Sequence, residues 1–308
     1  MSGPLHQPIN WKSILSSIRE GDQRVLARAI SWIENETEGY RELLQSLENF
    51  IASQIVGITG PPGAGKSSLV DLLIEQWVAA GKKIAVLCVD PSSPFHFGAL
   101  LGDRIRMSKW YNHPDVFIRS MASRGTLGGL NPQIIEVTDL LRAASFDMII
   151  VETVGVGQNE IGIAGLADTT VLVLVPETGD DIQAMKSGLL EIADIFVVNK
   201  SDRPGADRFY RFLESMNSFN NNEPKQEAII VKTSATEKIG IEELSAKILA
   251  HLNASKDSAK KSLLLAERAY QLIVHDKMQH IDKRILAENI RVQMDDPHFN
   301  LYRFIASY

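Results

Sequence analysis

Short apolar runs alternate with longer amphipathic segments between about residues 54 and 250. Most of the short runs are continuous stretches of Val, Ile and Leu, which is typical of strands that are buried on both faces of a parallel sheet. The amphipathic segments between them predict the helical crossovers that parallel strands require. The predicted strands are Gln54–Ile58, Lys83–Val89, Val116–Arg119, Met148–Glu152, Thr170–Val175, Ile195–Asn199 and Ala228–Val231.

Helical patterns continue beyond both ends of the predicted sheet. An apolar face that follows Asp22, a fair N-cap residue, predicts a helical extension over residues 10–50. After the last strand, the sequence predicts one more helix and then a polar linker. These two segments are Gly240–Leu252 and Ala254–Lys261.

Two further helices are predicted after the linker, over Ser262–Gln279 and Asp282–Met294. They carry many large apolar residues for a short appendage, including Leu265, Tyr270 and Ile273. Such an arm must cover its own core or a second subunit. We favour a second subunit, and therefore a homodimer.

A complete G-x-x-x-x-G-K-[ST] phosphate loop stands between the first predicted strand and a helix-forming run over Ser67–Ala80. In such a loop the glycines let backbone N–H groups surround the β-phosphate, and the helix N-terminus adds positive charge. Lys66 would reach the β- and γ-phosphates, and the Ser67 hydroxyl would take a place on Mg²⁺. The predicted nucleotide contacts in this loop are Gly60, Pro61, Pro62, Gly63, Ala64, Gly65, Lys66, Ser67 and Ser68.

The base is indicated by an N-K-x-D sequence at the end of a predicted strand, Asn199-Lys200-Ser201-Asp202. Guanine offers two adjacent N–H donors that one carboxylate can accept, and Asp202 is placed to be that acceptor. Asn199 would brace the loop and touch the base edge, while Lys200 would lay its aliphatic stem over the ring. Ser234-Ala235 follows a later strand and can offer a backbone N–H to the guanine O6. The predicted ligand is therefore GTP or GDP.

Acidic residues lie at the ends of two further predicted strands and in the loop that follows one of these strands. Glu152 lies three residues before Gly155, at the position of the D-x-x-G switch of GTPases with Glu in place of Asp. Gly155 would offer a backbone N–H to the γ-phosphate, and Glu152 would act on Mg²⁺ through water or position the attacking water. Asp90 suits the surroundings of Mg²⁺, and Asp103 is a candidate metal ligand or catalytic acid. The predicted catalytic residues are Lys66, Glu152 and Asp103, and the predicted metal-side residues are Ser67, Asp90, Asp103 and Glu152.

Composition narrows the class of protein. The formal charge of -6 gives no sign of a nucleic-acid surface, and no apolar stretch is long enough for a membrane span. Residues 1–12 have no apolar core of a secretory signal, and the single cysteine, Cys88, can form no intramolecular disulfide. We therefore expect a cytoplasmic protein that binds neither nucleic acid nor membrane.

These motifs together resemble the MeaB/ArgK family of P-loop GTPases, which belong to the SIMIBI class of dimerising nucleotide switches. The most specific resemblances are the Ser-Met-Ala-Ser-Arg-Gly run at Ser120–Gly125 and the Glu-Thr-Val-Gly-Val-Gly-Gln run at Glu152–Gln158. The resemblance implies a GTPase chaperone of an adenosylcobalamin-dependent acyl-CoA mutase, usually methylmalonyl-CoA mutase, in which GTP hydrolysis gates cofactor delivery and helps remove damaged cofactor. It also implies that the C-terminal helices form a dimerisation arm.

The prediction is therefore an α/β protein with a mostly parallel central sheet flanked by helices. Its domains are an N-terminal helical extension over residues 1–50, a P-loop GTPase domain over 51–252 and a C-terminal helical arm over 253–308. Two alternatives stay open. One is a metal-insertion GTPase of the same class, although the seven histidines form no H-x-H pair. The other is a nucleotide-dependent kinase linked to amino-acid transport, against which the guanine-type sequence at residues 199–202 argues.

Overall fold

The structure is a computed structural model that describes residues 10–47, 53–90, 107–123, 130–155, 162–176, 190, 193–219, 229–254, 258–278, 280–294, 296, 299–306 and 308. The chain divides into two compact units, Met1–Lys256 and Asp257–Tyr308. The first unit holds the sheet and the N-terminal helices, and the second holds the C-terminal helices.

All seven described strands form one sheet in the order β3-β2-β4-β1-β5-β6-β7, and every pair of neighbours is parallel. The sequence predicts each of these strands to within one residue at either end, except that β3 extends three residues further, to Ala122. The polar Ser120 hides this extension in the sequence, whereas the structure pairs it with Cys88 of β2. The strands are β1 Gln54–Thr59, β2 Ile84–Asp90, β3 Val116–Ala122, β4 Met148–Glu152, β5 Thr169–Leu174, β6 Ile195–Val198 and β7 Ile229–Lys232.

Helices cover both faces of the sheet. Two of them pack on one face of the sheet and bury the side chains of β1, β2, β4 and β5 that point to that face. These are α4 Lys66–Ala79 and α8 Ile241–Ala254. On the opposite face, α7 Ala206–Phe219 packs against Leu172, Leu174 and Phe196. The remaining helices of the sheet region are α5 Ile134–Ala143 and α6 Gly162–Leu166.

Among the described residues before the sheet there are three helices, so the predicted helical extension is present. They are α1 Trp11–Arg19, α2 Gln23–Glu34 and α3 Tyr40–Gln45. Asp22 caps α2 as expected, because its side chain accepts hydrogen bonds from the backbone N–H groups of Arg24 and Val25. The first two helices of the extension pack against α5, within the first compact unit.

The second unit contains α9 Ser258–Met278, α10 Lys283–Gln293 and α11 Leu301–Ile305. Because α9 begins at Ser258, the predicted polar linker is wrong over Ser258–Lys261, where alanine and lysine favour a helix. Phe304 is buried in this unit between Phe299 and Tyr308, with ring centroids 6.1 and 5.4 Å apart. In the part of the chain that the structure describes, no helix has the length and apolar content to cross a membrane.

Candidate functional site

The phosphate loop connects β1 to α4 at the carboxyl edge of the sheet, where ligands of parallel sheets gather. Its backbone turns at Gly60, Gly63 and Gly65, whose φ angles are +138°, +76° and +90°. Gly65 also allows a close approach, because a Cβ atom there would lie 2.3 Å from Nδ2 of Asn199. A side chain at this position would therefore separate the phosphate loop from the loop over residues 199–202, which is called the base-reading loop below because the sequence predicts that it contacts guanine.

Lys66 is the first residue of α4, and its side chain folds back along the phosphate loop. Its Nζ donates hydrogen bonds to the carbonyl oxygens of Gly60 at 2.8 Å and Pro61 at 3.2 Å. Lys66 and Ser67 are buried, whereas Ser68 is exposed. The ammonium group is thus already inside the loop where a phosphate would bind.

Ser67 and Glu152 meet in the interior, although 85 residues separate them in sequence. The Ser67 hydroxyl donates to Oε1 of Glu152 at 2.7 Å, and both residues are buried. Asp90, also buried, ends the neighbouring strand β2 two residues after Cys88, which pairs with Glu152. The hydroxyl and the two carboxylates are hard oxygen donors of the kind that Mg²⁺ prefers, so this set fits the ion.

Asp103, the fourth predicted metal-side residue, lies outside the described residues. Among the residues that the structure describes, no three His, Cys, Asp or Glu side chains gather as a preformed metal site.

Gly155 brings the segment after β4 against the phosphate loop. Its φ is +83°, and a Cβ atom there would lie 2.4 Å from Nζ of Lys66 and 2.7 Å from the carbonyl oxygen of Gly60. Thr153 holds the segment in place, since its N–H donates to the Ile58 carbonyl and its hydroxyl donates to that of Thr59, each at 3.0 Å. Only glycine therefore fits where the segment after β4 approaches Lys66.

Asn199 links the base-reading loop to the phosphate loop. Its buried side chain donates from Nδ2 to the carbonyl oxygen of Ala64 at 2.7 Å and accepts from the hydroxyl of Thr233 at 3.0 Å. Lys200 follows in the left-handed region with φ of +57°, which turns the chain sharply at the strand end. The sequence motifs give Thr233 no role, although its place between the end of β7 and Ser234 is a usable signal.

The carboxylate of Asp202 is exposed and oriented by Ser234. The buried Ser234 hydroxyl donates to Oδ1 of Asp202 at 2.6 Å, and Ala235 beside it is half-buried. This hydrogen bond lowers the pKa of Asp202 below its ordinary value. The sequence predicted a backbone role for Ser234, and the structure adds this side-chain contact.

Replacing Ser234 by alanine is expected to raise the pH at which GTP affinity is lost on acidification. If Asp202 accepts from guanine as predicted, its carboxyl must be ionised, so binding is present above the pKa of Asp202 and is lost as the pH falls through it. Without the Ser234 hydroxyl, the pKa of Asp202 rises toward its ordinary value, and affinity is lost earlier on acidification. GTP affinity measured from about pH 7 down to about pH 4 checks this. Ser215→Ala, which removes a hydroxyl bonded to Phe212 on α7, is the control, and an identical pH profile in both variants would contradict the assignment.

One protein family and several related proteins match more than half of the chain. The family described as "Methylmalonyl Co-A mutase-associated GTPase MeaB" matches residues 26–289. A candidate GTPase of Pyrococcus horikoshii is 42% identical over 296 residues, which cover 94% of this chain and 90% of that protein. GTPase ArgK of Escherichia coli is 34% identical and covers 77% of this chain and 75% of its own length. The mouse mitochondrial methylmalonic aciduria type A homolog is 37% identical over 204 residues, or 61% of this chain and 49% of the mouse protein.

Solved structures share the fold. The crystal structure of a LAO/AO transport system kinase has a TM-score of 0.69 at 24% identity and covers 97% of this chain and 98% of its own. The hydrogenase maturation factor HypB of Archaeoglobus fulgidus has a TM-score of 0.51 at 19% identity and covers 73% of this chain and 99% of its own. At these identities the similarity establishes the architecture alone. The family match and the archaeal relative show more: this chain belongs to the MeaB family and is a guanine-nucleotide-binding GTP hydrolase.

Proposed function

We propose that GTP hydrolysis by this chain operates a switch that loads and protects an adenosylcobalamin-dependent acyl-CoA mutase, specifically methylmalonyl-CoA mutase. The family description names that mutase, and the name of the mouse relative refers to methylmalonic aciduria. The observation that carries the proposal is the contact of the Gly155 segment with Lys66 and Gly60, because it joins a switch segment to the phosphate-binding atoms. The buried thiol of Cys88 agrees with a reducing compartment such as the cytoplasm.

In this proposal the loop from Gly60 to Ser68 holds the phosphates of GTP. Lys66 exchanges its hydrogen bonds to the carbonyl oxygens of Gly60 and Pro61 for phosphate oxygens. Asp202 accepts from guanine, Lys200 covers the ring, and Asn199 keeps the base-reading loop against Ala64. The backbone at Ala235 faces the guanine O6.

Ser67, Asp90 and Glu152, together with Asp103, would hold Mg²⁺, which neutralises charge on the β- and γ-phosphates when it is bound. Ser67 would release its hydrogen bond to Glu152 and turn its oxygen to the ion. Glu152 would then act on Mg²⁺ through a water molecule or orient the water that attacks.

Gly155 would make the conformation of the segment that begins there depend on whether GTP or GDP is bound. Its N–H would meet the γ-phosphate, so the segment that begins there is held in the GTP state and released after hydrolysis. A loop with two such states is an element that a partner protein can sense. Intrinsic hydrolysis is expected to be slow, with the mutase completing the site.

The C-terminal unit is proposed to form the contact between two copies of the chain. Several large apolar side chains in it are more than half exposed. They are Leu265, Tyr270, Ile273, Ile285, Val292 and Tyr302. An apolar surface of this extent on a short helical unit is typical of a protein interface. Light scattering of the full chain should give the mass of a dimer, and the mass of a monomer at micromolar concentration would contradict the arm's role.

The proposed partnership is tested by the nucleotide dependence of complex formation. The purified chain is mixed with methylmalonyl-CoA mutase from the same source, in the presence of either GDP or a slowly hydrolysed GTP analogue. The affinities are expected to differ by roughly 5- to 150-fold, the usual range of coupling between two sites. Equal affinity in both nucleotide states, or no complex in either, would contradict the chaperone function and leave the GTPase intact.

A further inference from the structure

Helix α2 of the N-terminal extension runs along β3, the edge strand of the sheet. At the start of α2, Nε2 of Gln23 donates to the carbonyl oxygens of Pro114 at 3.1 Å and Val116 at 3.3 Å. An edge strand leaves one row of backbone groups without a partner strand. The extension therefore provides a hydrogen-bond donor to one backbone carbonyl of β3, that of Val116, and to the Pro114 carbonyl just before the strand.

A partly buried ion pair joins the other end of α2 to the same strand. The guanidinium of Arg119, on β3, donates from Nη2 to the carboxylate of Glu34 and to the hydroxyl of Ser31, the latter at 3.1 Å. The side chains of Arg119 and Glu34 are only 24% and 11% exposed. Removing one member of such a pair leaves the other charge poorly solvated, so this contact constrains β3 more than a surface ion pair would.

A second chain of hydrogen bonds reaches the end of β3 from the residues after α2. Nε2 of Gln133 donates to Oε1 of Glu36 at 2.9 Å, and the Gln133 N–H donates to Oδ1 of Asn131 at 2.8 Å. Nδ2 of Asn131 then donates to the carbonyl oxygen of Ala122, the last residue of β3, at 2.6 Å. Gln133 and Asn131 are both buried, so water competes little for these bonds.

The end of β3 in turn contacts Asp90. Ala122 pairs with Asp90 in the parallel register, and the N–H of Ser123 donates to the Asp90 carbonyl oxygen at 2.9 Å. Asp90 is buried and ends β2 at the carboxyl edge of the sheet. From Glu36 the connection to Asp90 consists of hydrogen bonds and a strand pairing, whereas from Glu34 it passes through the ion pair to Arg119 and then along the backbone of β3 to Ala122.

We propose that the N-terminal extension positions Asp90 for the magnesium-nucleotide complex, with Arg119 and Glu34 as its positioning residues. The proposal rests on the magnesium-side role of Asp90 proposed above. Neither Arg119 nor Glu34 needs to touch the nucleotide. They fix where the carboxyl end of β3 lies, and through Ser123 and Ala122 they fix the backbone that presents the Asp90 carboxylate.

The test compares two arginine variants that break similar ion pairs, one on strand β3 and one at the amino edge of the sheet. Arg119→Ala removes the positioning pair. Arg142→Ala is the matched control, because Arg142 pairs with Asp168 at 3.2 Å, the two side chains are 16% and 27% exposed, and Asp168 directly precedes the start of β5 at the amino edge. Binding of a fluorescent GDP analogue is measured across a Mg²⁺ series, together with thermal unfolding without nucleotide.

Arg119→Ala is expected to raise the Mg²⁺ concentration for half-maximal binding by about 3- to 10-fold, the effect of a typical coupling residue. Arg142→Ala should leave that concentration unchanged while lowering the unfolding temperature to a similar extent. Glu34→Ala should reproduce the Arg119→Ala effect, and the double variant should add little to it, since both substitutions break one contact.

Two results would overturn the proposal in distinguishable ways. If nucleotide binding by the unaltered chain does not depend on Mg²⁺, the magnesium-side role of Asp90 fails and the positioning role fails with it. If the unaltered chain depends on Mg²⁺ but Arg119→Ala and Arg142→Ala behave alike, the positioning role alone fails. Should Arg119→Ala not fold, it is replaced by Arg119→Lys, which keeps the charge but loses the planar set of N–H donors. The same Mg²⁺ series is then compared with that of Arg142→Ala, and equal half-maximal Mg²⁺ concentrations would contradict the positioning role.

Discussion

Replacing Lys66 by alanine is expected to abolish GTP turnover while leaving the fold intact. The ammonium group lies inside the phosphate loop, 2.8 Å from the Gly60 carbonyl oxygen, where it can stabilise charge that develops on the phosphates. Removing one preorganised donor of this kind costs about 100- to 1,000-fold in turnover. GTP hydrolysis under single-turnover conditions gives the loss, and circular dichroism with thermal unfolding reports on the fold.

Lys83→Ala is the control for the removal of a lysine. Lys83 is exposed and directly precedes β2 at the amino edge of the sheet, away from the phosphate loop. Its loss should leave turnover unchanged. Hydrolysis at the unaltered rate by a folded Lys66→Ala protein would place the active site elsewhere.

Asp202→Asn is expected to exchange the preference for GTP for one for xanthosine triphosphate. The Asp202 carboxylate, held by the Ser234 hydroxyl at 2.6 Å, is proposed to accept from two guanine donors, and an amide cannot accept from both. Xanthine carries a carbonyl where guanine carries its amine, so the amide can donate to it. GTP affinity should fall about 10- to 100-fold, the effect of losing a bidentate base contact.

Competition between GTP and xanthosine triphosphate for a fluorescent nucleotide measures this exchange. Asp207→Asn is the matched control, because Asp207 is an exposed carboxylate on α7 that pairs with Lys232 at 2.7 Å. GTP affinity that is the same in Asp202→Asn and in the unaltered chain would show that another residue reads the base.

The parallel sheet could be predicted because its strands are short, continuous apolar runs with polar residues directly after them. That pattern also places Glu152 and Asn199 at the carboxyl edge, since parallel strands all end there. The element boundaries that the sequence predicts wrongly lie where polar residues belong to a strand or a helix. Ser120 is polar yet belongs to β3, and Ser258–Lys261 is polar yet helical.

Contacts between distant residues could not be predicted from one sequence. The Ser67–Glu152 hydrogen bond and the Arg119–Glu34 ion pair each join residues 85 positions apart, and no local pattern encodes them. The same holds for Thr233, whose hydroxyl orients Asn199 only because β6 and β7 are neighbours. Sequence motifs identify the groups that would contact GTP, whereas the residues that hold those groups in place emerge only from the fold.

GTP hydrolysis with and without an adenosylcobalamin-dependent acyl-CoA mutase from the same source tests the proposed function most directly. The contact of the Gly155 segment with Lys66 predicts that a partner bound to that segment alters catalysis, so adding the mutase should clearly raise the rate of turnover. Asp202→Asn with GTP serves as the control for contaminating hydrolases. Turnover that stays the same with every such mutase would contradict the chaperone function, and the chain would be a MeaB-family GTPase with a different partner.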